Sequence, residues 1–115
     1  MTDAKRSEAS EQAEVVAYVR SSMPGVLFTS TGAGLGFHVR YQAAMNRGGY
    51  LKGTPDLIFM EPRGVYHGLF IEMKSRVGSV RPEQKALMDE LNQRGYKACI
   101  CFGAEQAIEQ IKAYF

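Results

Sequence analysis

Short apolar runs alternate with amphipathic stretches along the 115 residues of this chain. Four of the apolar runs have the composition typical of strands, at residues 26–31, 57–60, 68–73 and 97–102. Four other stretches have apolar residues at helical spacing between capping and stop signals, from Ser7 or Ser10 to about Ser22, at residues 37–46, from Pro82 to about Arg94, and at residues 104–114. This order of elements predicts an α/β fold in which a small mixed β-sheet is flanked by helices.

The two central strands carry the charged residues that indicate a function. A Pro/Gly turn signal between residues 57–60 and 68–73 predicts an antiparallel hairpin. Because side chains alternate along a strand, Glu72 and Lys74 share the face opposite to an apolar one, ~7 Å apart. Asp56 begins the first strand directly after a rigid proline, and the hairpin would bring it beside Glu72. The pattern therefore predicts two carboxylates and a lysine at one place.

Two carboxylates opposite each other on neighbouring strands destabilise the pairing unless another charge balances them. Mg²⁺ is an oxygen-seeking ion that is commonly held by one or two carboxylates together with substrate phosphate. The alternative is a solvated strand face on which Lys74 neutralises Glu72, and a bare Glu-x-Lys triplet is frequent by chance. Since the other face of the strand at residues 68–73 is wholly apolar, charged residues on it are unexpected unless they have a function. This context favours a metal site at Asp56 and Glu72.

Three short motifs resemble those of the PD-(D/E)xK nuclease superfamily, and most closely the VRR-NUC domain of virus-type replication and repair nucleases: Gly53-Thr54-Pro55-Asp56, Glu72-Met73-Lys74 and Pro82-Glu83-Gln84. The resemblance runs from about Glu8 to the C-terminus. It implies a restriction-endonuclease-like core, hydrolysis of DNA phosphodiester bonds, and Mg²⁺ or Mn²⁺ as cofactor. By the same resemblance, the metal-binding carboxylates are Asp56 and Glu72, the active-site lysine is Lys74, and the post-strand glutamine is Gln84.

The resembled family also places an acidic residue on its first helix, near the metal. Glu8 and Glu11 both lie on the side of the predicted helix that carries its valines. Acidic side chains are favourable at any helix N-terminus because of the macrodipole, with no metal required. The resemblance favours Glu8 as a third ligand and leaves Glu11 as the rival. The role of Gln84 is also open, since a glutamine at the third helical position can cap its own helix instead.

The net charge of +2 and the pI near 8.6 permit nucleic-acid binding without requiring it. Basic residues concentrate around the motifs, and those that are candidates for contact with DNA phosphates are Arg40, Arg47, Lys52, Arg76, Arg81 and Lys85. Scattered lysines and arginines are also usual on a protein surface, so the clustering decides nothing alone. Tyr41 and Tyr50 are candidates for base stacking, with a core position as the alternative. Small residues at Gly53 and Thr54 are expected to let phosphate approach the backbone.

Other patterns argue against a nucleotide cofactor or a membrane segment. The run Gly32-x-Gly34-x-Gly36 lacks the spacing and the Gly-Lys-Ser/Thr ending of a nucleotide-binding loop. His38 is interpreted as structural. No apolar run approaches the ~18 residues of a membrane span, and the N-terminal residues have no hydrophobic region after them. We therefore expect neither a nucleotide cofactor, nor a signal peptide, nor a membrane anchor.

The two cysteines of the chain, Cys99 and Cys101, lie in one apolar run. On a strand they would share a face with Cα atoms ~6.8 Å apart, near the outer limit for a disulfide. A zinc site is unexpected because the usual quartet of cysteine and histidine ligands is missing. Inert thiols in a reducing compartment are the preferred interpretation, which predicts a cytoplasmic protein. A small redox or metal-storage protein built on these thiols is a further alternative.

At this length the chain is expected to form one domain, residues 1–115, with residues 1–7 disordered. We expect a homodimer, because one domain offers one metal centre while cutting both strands of a duplex or a four-way junction takes two. Without a separate base-reading module, specificity would come from DNA shape, which favours branched substrates such as Holliday junctions or flaps. The main alternative is a module with the same fold that binds nucleic acid or assembles with partners and does not cleave.

Overall fold

The computed structural model of the protein describes residues 6–32 and 39–115. Within them, the elements follow the predicted order: α1 (Glu8–Ser22), β1 (Phe28–Ser30), α2 (Val39–Arg47), β2 (Leu57–Phe59), β3 (Leu69–Lys74), α3 (Pro82–Gln93), β4 (Lys97–Phe102) and α4 (Ala104–Tyr114). The strands form one sheet in the order β1-β2-β3-β4. β2 pairs antiparallel with both β1 and β3, whereas β3 and β4 run parallel. The predicted mixed sheet flanked by helices is confirmed.

The structure differs from the sequence prediction at the first strand and in the hairpin. β1 is shorter than the predicted run of residues 26–31, because its partner β2 offers only three paired residues. The hairpin connection spans residues 60–68 instead of the short predicted turn. Arg63 and Tyr66 exchange backbone hydrogen bonds of 3.1 and 2.8 Å there, so the connection contains a tight turn of its own.

The hydrophobic core lies between one face of the sheet and the helices α1 and α4. Leu69, Ile71 and Met73 of β3 are fully buried on that face. They belong to one cluster with residues that recur at helical spacing on the two helices, namely Val15, Val19, Ala107 and Ile111. Burial of such an aliphatic side chain contributes ~1.5–3 kcal/mol. This packing holds α1 and α4 against β3.

Helix α3 packs against β4 and reaches the other face of β3. Pro82 suits the first position of this helix, where a backbone N–H would have no intrahelical partner. Asn92 joins the helix to β4, since its side-chain amide donates to the Ala98 carbonyl at 2.9 Å and accepts from the Ala98 N–H at 3.0 Å. The helix ends shortly before Gly95, whose φ of 94° reverses the chain.

Arg6 and Ser7, from the segment 1–7 predicted to be disordered, make contacts at the N-terminus of α1. Ser7 caps the helix, because its side-chain oxygen accepts a hydrogen bond from the Ser10 N–H at 3.1 Å. Arg6 donates from Nη1 to Glu14 Oε1 at 2.6 Å. Residues 1–5 lie outside the described residues.

Several predictions concern parts of the chain that the structure does not describe. Residues 33–38 include most of the glycine run, His38, and the start of the helix predicted at residues 37–46. The side chain of Arg40 is also outside the described residues. Among the residues that are described, no helix combines the length and the apolar character needed to cross a membrane.

Cys99 and Cys101 point from the same strand, and their Sγ atoms lie 3.9 Å apart. Neither forms a disulfide, so the prediction that they do not pair is confirmed. Cys101 is buried in the core, while Cys99 is only partly buried.

Candidate active site

One open cavity of about 980 Å³ lies between the first turns of α1 and α3, the end of α2 and the end of β3. Glu8, Asp56, Glu72, Lys74 and Gln84 all line this cavity. The fold thus gathers in one place the four residues predicted as catalytic and the preferred acid of the first helix.

Three carboxylates meet at the base of the cavity. Glu8, Asp56 and Glu72 each offer one carboxylate oxygen, and these oxygens all lie within 4.8 Å of one another. β2 and β3 are antiparallel and pair Leu57 with Ile71. Asp56 precedes Leu57 and Glu72 follows Ile71, so this register places the two carboxylates opposite each other. Glu8 arrives from the first turn of α1, which packs against the sheet. The hairpin therefore supplies two of the acids, and helix packing supplies the third.

The charged face of β3 is buried, so the interpretation of Glu72 and Lys74 as a solvated strand face is wrong. Their exposed fractions are 3% and 5%. The physical reason is that the first turn of α3 covers this face, with Gln84 in contact with Glu72. Lys74 Nζ lies 3.7 Å from Glu72 Oε2, which provides a partial countercharge inside the site.

Burial makes the negative charge of the two inner carboxylates costly. Burial, followed by the charge of Asp56, raises the pKa of Glu72 from 4.5 to about 8. Burial also raises the pKa of Asp56, opposed by a hydrogen bond from the Met73 N–H to Asp56 Oδ2 at 2.8 Å. Burial therefore favours the protonated form of this pair unless a positive charge compensates it.

The site fits a hard divalent cation. All three candidate ligands are carboxylates, and oxygen donors suit Mg²⁺ and Mn²⁺. Glu72 Oε1 is buried and has no hydrogen-bond partner among the described residues. A buried polar atom without a hydrogen-bond partner costs ~1–3 kcal/mol, and the cost is larger when the group is charged. A cation bound at this oxygen would remove that cost.

Gln84 makes both of the contacts that the sequence leaves open, one to its own helix and one to the carboxylate cluster. Its Oε1 accepts a hydrogen bond from the Arg81 N–H at 3.1 Å, which caps the start of α3. Its Nε2 donates to Glu72 Oε2 at 3.0 Å. The same side chain thus anchors the helix and orients the carboxylate, leaving the other oxygen of Glu72 available to a ligand.

Gly53 and Thr54 line the cavity, and at Gly53 the backbone of α3 occupies the space that a side chain would take. The φ of Gly53 is 92°, and a Cβ at this position would lie 2.8 Å from the carbonyl oxygen of Glu83. The first turn of α3 fills the space, and Lys52 Nζ lies 3.8 Å from Glu83 Oε1 beside it. Glycine is required here because the loop before Asp56 docks directly on the backbone of α3.

Glu11 is separate from the carboxylate cluster, although it lies one turn after Glu8. It is fully buried, and its Oε1 accepts a hydrogen bond from the Ala104 N–H at 3.0 Å. Arg6 Nη1 lies 3.4 Å from Oε1, and Arg76 Nε lies 3.6 Å from Oε2. The three ligand oxygens that cluster include Glu8 and do not include Glu11.

The predicted DNA-contacting residues have different surroundings. Lys52 and Arg81 line the cavity. Arg76 lies beside Glu11, and Lys85 Nζ donates to both carboxylate oxygens of Asp89 at 2.8 and 2.9 Å. Arg47 is exposed in the last turn of α2, and the side chain of Arg40 is not described.

Sequence reasoning missed Arg6, which lines the cavity next to Glu8. The available signal was Ser7, a capping residue that places Arg6 directly before α1. Tyr50, proposed for base stacking, also lines the cavity. Burial, followed by the charges of Asp56 and Glu72, raises the pKa of the Tyr50 hydroxyl. Tyr50 is therefore a neutral hydroxyl group beside the carboxylates. Tyr41, the other stacking candidate, is exposed on α2.

Comparison with known proteins agrees with the geometry. The sequence model of the VRR-NUC domain matches residues 6–105. A solved structure described as a "VRR_NUC domain protein" superposes with a TM-score of 0.79, at 28% identity, over 96% of this chain and 88% of that chain. Among curated proteins, none matches the chain significantly.

Proposed function

This chain belongs to the VRR-NUC domain family, and we propose that it is a metal-dependent endonuclease that hydrolyses DNA phosphodiester bonds. The observation that carries the proposal is the cluster of Glu8, Asp56 and Glu72, whose ligand oxygens lie within 4.8 Å of one another beside a buried lysine. A binding protein gains nothing from carboxylates that face a polyanion without a metal. The family supports nuclease chemistry with DNA as the substrate.

We propose that Asp56, Glu72 and Glu8 hold Mg²⁺ or Mn²⁺. Such an ion supplies Lewis-acid activation of water and charge neutralisation at the phosphate. Asp56 and Glu72 contribute the two inner ligands, and the hydrogen bond from Gln84 to Glu72 keeps one of them oriented. The unpartnered oxygen of Glu72 supports this assignment.

Lys74 is proposed to act on the reacting phosphate. It is 5% exposed, and its Nζ lies 3.7 Å from Glu72 Oε2, so the ammonium group is fixed next to the ligand oxygens. A preorganised cation in a water-poor site stabilises the charge that develops on the phosphate more strongly than it would in water. The same group can orient the attacking water by a hydrogen bond.

We propose that DNA phosphates enter along the basic rim of the cavity. Arg6, Lys52 and Arg81 line it, and Arg47, Arg76 and Lys85 are candidates for contacts further out, as is Arg40. Tyr50 is proposed to contact the strand at the cavity wall. Loss of any one of these basic residues should weaken binding without regard to DNA sequence.

The preferred substrate is proposed to be branched DNA, Holliday-junction or flap-like, in replication, recombination or repair. The described residues contain one carboxylate cluster of this kind, so a homodimer would supply the two centres needed to cut two strands. Shape recognition supports this preference, because the described residues form one fold without a separate base-reading module among them. Free thiols at Cys99 and Cys101 agree with a cytoplasmic location.

The direct test is to incubate the purified protein with four-way-junction, flap, nicked and linear DNA, with and without Mg²⁺ or Mn²⁺. Cleavage only with metal, and fastest on branched DNA, is the expected result, with Glu72→Gln as the inactive control. Binding of DNA without cleavage under every metal condition would instead support the non-cleaving module.

Light scattering at micromolar concentration that shows only monomer, with equal cleavage of linear and junction DNA, would overturn the dimer and the substrate preference. Insensitivity of the protein to thiol alkylation would exclude the redox or metal-storage alternative.

A further inference from the structure

Glu11 is a buried acid that the proposed chemistry does not use. We propose that it is a positioning residue, which fixes the first turn of α1 so that Glu8 meets Asp56 and Glu72. This inference rests on the proposed metal site and names a further residue that the site requires. Glu11 lies on α1 three residues after Glu8, which places both side chains on the same side of the helix.

The contact of Glu11 replaces a helix cap that α4 lacks. The residue before α4 is Gly103, which has no side chain to accept from the first N–H groups of the helix. Glu11 Oε1 accepts from Ala104, the first residue of α4, at 3.0 Å. A carboxylate at this end is also favoured by the helix macrodipole. The start of α4 and the start of α1 are therefore joined through one buried side chain.

The same junction is tied to the active-site strand. Gly103 N–H donates to the Lys74 carbonyl at 2.9 Å, so the residue before α4 is bonded to the last residue of β3. Arg76, two residues further along, lies 3.6 Å from Glu11 Oε2 through its Nε. Its Cγ would lie 3.1 Å from a Cβ placed on Gly103, so the arginine packs closely over this glycine. A continuous set of contacts thus runs from α1 through Glu11 to Lys74.

Without this anchor, the first turn of α1, which precedes the buried valines, would be less constrained relative to β3. Glu8 is half-buried at the edge of the cluster, whereas Asp56 and Glu72 are held by the sheet register. Movement of α1 would therefore displace one ligand and leave the other two in place. Residues that orient metal ligands typically change metal affinity by ~10–100-fold when mutated.

Substitutions of Glu11 separate positioning from charge. Glu11→Gln keeps an oxygen within reach of the Ala104 N–H and removes the charge. Glu11→Asp keeps the charge and shortens the side chain so that the oxygen falls short of the N–H. A positioning role predicts that the glutamine variant retains Mn²⁺ affinity within about twofold and that the aspartate variant loses about tenfold. A direct ligand or a purely electrostatic role predicts the reverse order.

The experiment measures Mn²⁺ dissociation constants by calorimetry for the wild type, Glu8→Gln, the two Glu11 variants, and Glu11→Asp combined with Glu8→Gln. If Glu11 acts through Glu8, Glu11→Asp should cost less than about twofold once Glu8 has been replaced. Circular dichroism melting of each variant separates loss of fold from loss of affinity. The glutamine variant should melt at a lower temperature because it loses the ion pairs with Arg6 and Arg76.

The outcomes distinguish this inference from the proposed function. A wild type that binds no Mn²⁺ would remove the metal site itself. A wild type that binds Mn²⁺, with a folded Glu11→Asp variant of equal affinity, would overturn the positioning role alone. Weakening by Glu11→Gln as large as that by Glu11→Asp would also overturn it, as would a full Glu11→Asp effect in the Glu8→Gln background. If Glu11→Asp does not fold, a loss of more than about fivefold in Glu11→Gln overturns the role and retained affinity supports it.

Discussion

The two faces of β3 are both buried, but burial has opposite effects on the free energy of folding at the two faces. Leu69, Ile71 and Met73 have no exposed surface on one face and gain free energy by leaving water. Glu72 and Lys74 are 3% and 5% exposed on the other face, where burial removes the hydration of two charged groups. A buried ion pair is often no more stabilising than apolar residues of similar size. The apolar face therefore maintains the fold. The charged face lowers stability, which indicates that it is kept for a function.

The largest expected effect is on the charged face. Asp56→Ala, Glu72→Ala and Lys74→Ala should each abolish metal-dependent cleavage, a loss of at least about 100-fold, while circular dichroism shows an intact fold. The two carboxylate variants should also lose Mn²⁺ affinity and bind DNA as well as or better than the wild type, because negative charge has been removed. Full activity in any one variant would exclude that residue from the site.

The matched change on the apolar face should do the opposite. Ile71→Ala is expected to lower the free energy of unfolding by about 2–5 kcal/mol, since it leaves a cavity in the core. Cleavage by the protein that remains folded should stay within a few-fold of the wild type. Urea denaturation and the cleavage rate below the transition test both parts. A stable but inactive Ile71→Ala variant would contradict the division between the two faces.

A smaller effect is expected at Gly53, where the loop before Asp56 contacts α3. Gly53→Ala adds a Cβ at 2.8 Å from the Glu83 carbonyl oxygen, in a backbone with φ of 92°. We expect a loss of about 2–4 kcal/mol in unfolding free energy, the sum of left-handed strain and the clash. Gly25→Ala is the control, because its φ is 91° with nothing within 4 Å. Equal losses in the two variants would mean that the contact with α3 contributes nothing.

The smallest expected effect is the pH dependence of the metal-free protein. Folding raises the pKa of Glu72 from 4.5 to about 8, so the folded state favours the protonated form. The contribution of this group to stability is fully present below pH 4.5 and is lost as pH rises to about 8. Glu72→Gln should remove this part of the pH dependence and melt a few degrees higher at pH 8. At pH 8, Mn²⁺ should raise the melting temperature of the wild type and leave that of Glu72→Gln unchanged. An identical pH profile in both proteins would contradict the raised pKa.

Sequence pattern was sufficient for the order of elements and for the proximity of Asp56, Glu72 and Lys74. Strand alternation and hairpin pairing are local, so residues at fixed offsets in two neighbouring strands are brought together wherever the hairpin packs. The predicted bounds of the first strand and of the hairpin connection were less accurate, because the length of a paired strand depends on both strands of the pair. The two interpretations of Gln84 could not be separated in advance, since one side chain makes both contacts.

Tertiary packing decided which of two residues on the same side of a helix reaches the carboxylate cluster. Glu8 and Glu11 lie on the same side of α1, and only the docking of α4, which begins at Ala104, directs Glu11 to a backbone N–H and leaves Glu8 at the cavity. Gly53 similarly acquires its role from the first turn of α3, and Arg76 acquires a partner in Glu11. Local periodicity determines which side chains share a face, whereas contacts between residues distant in the sequence determine what that face meets.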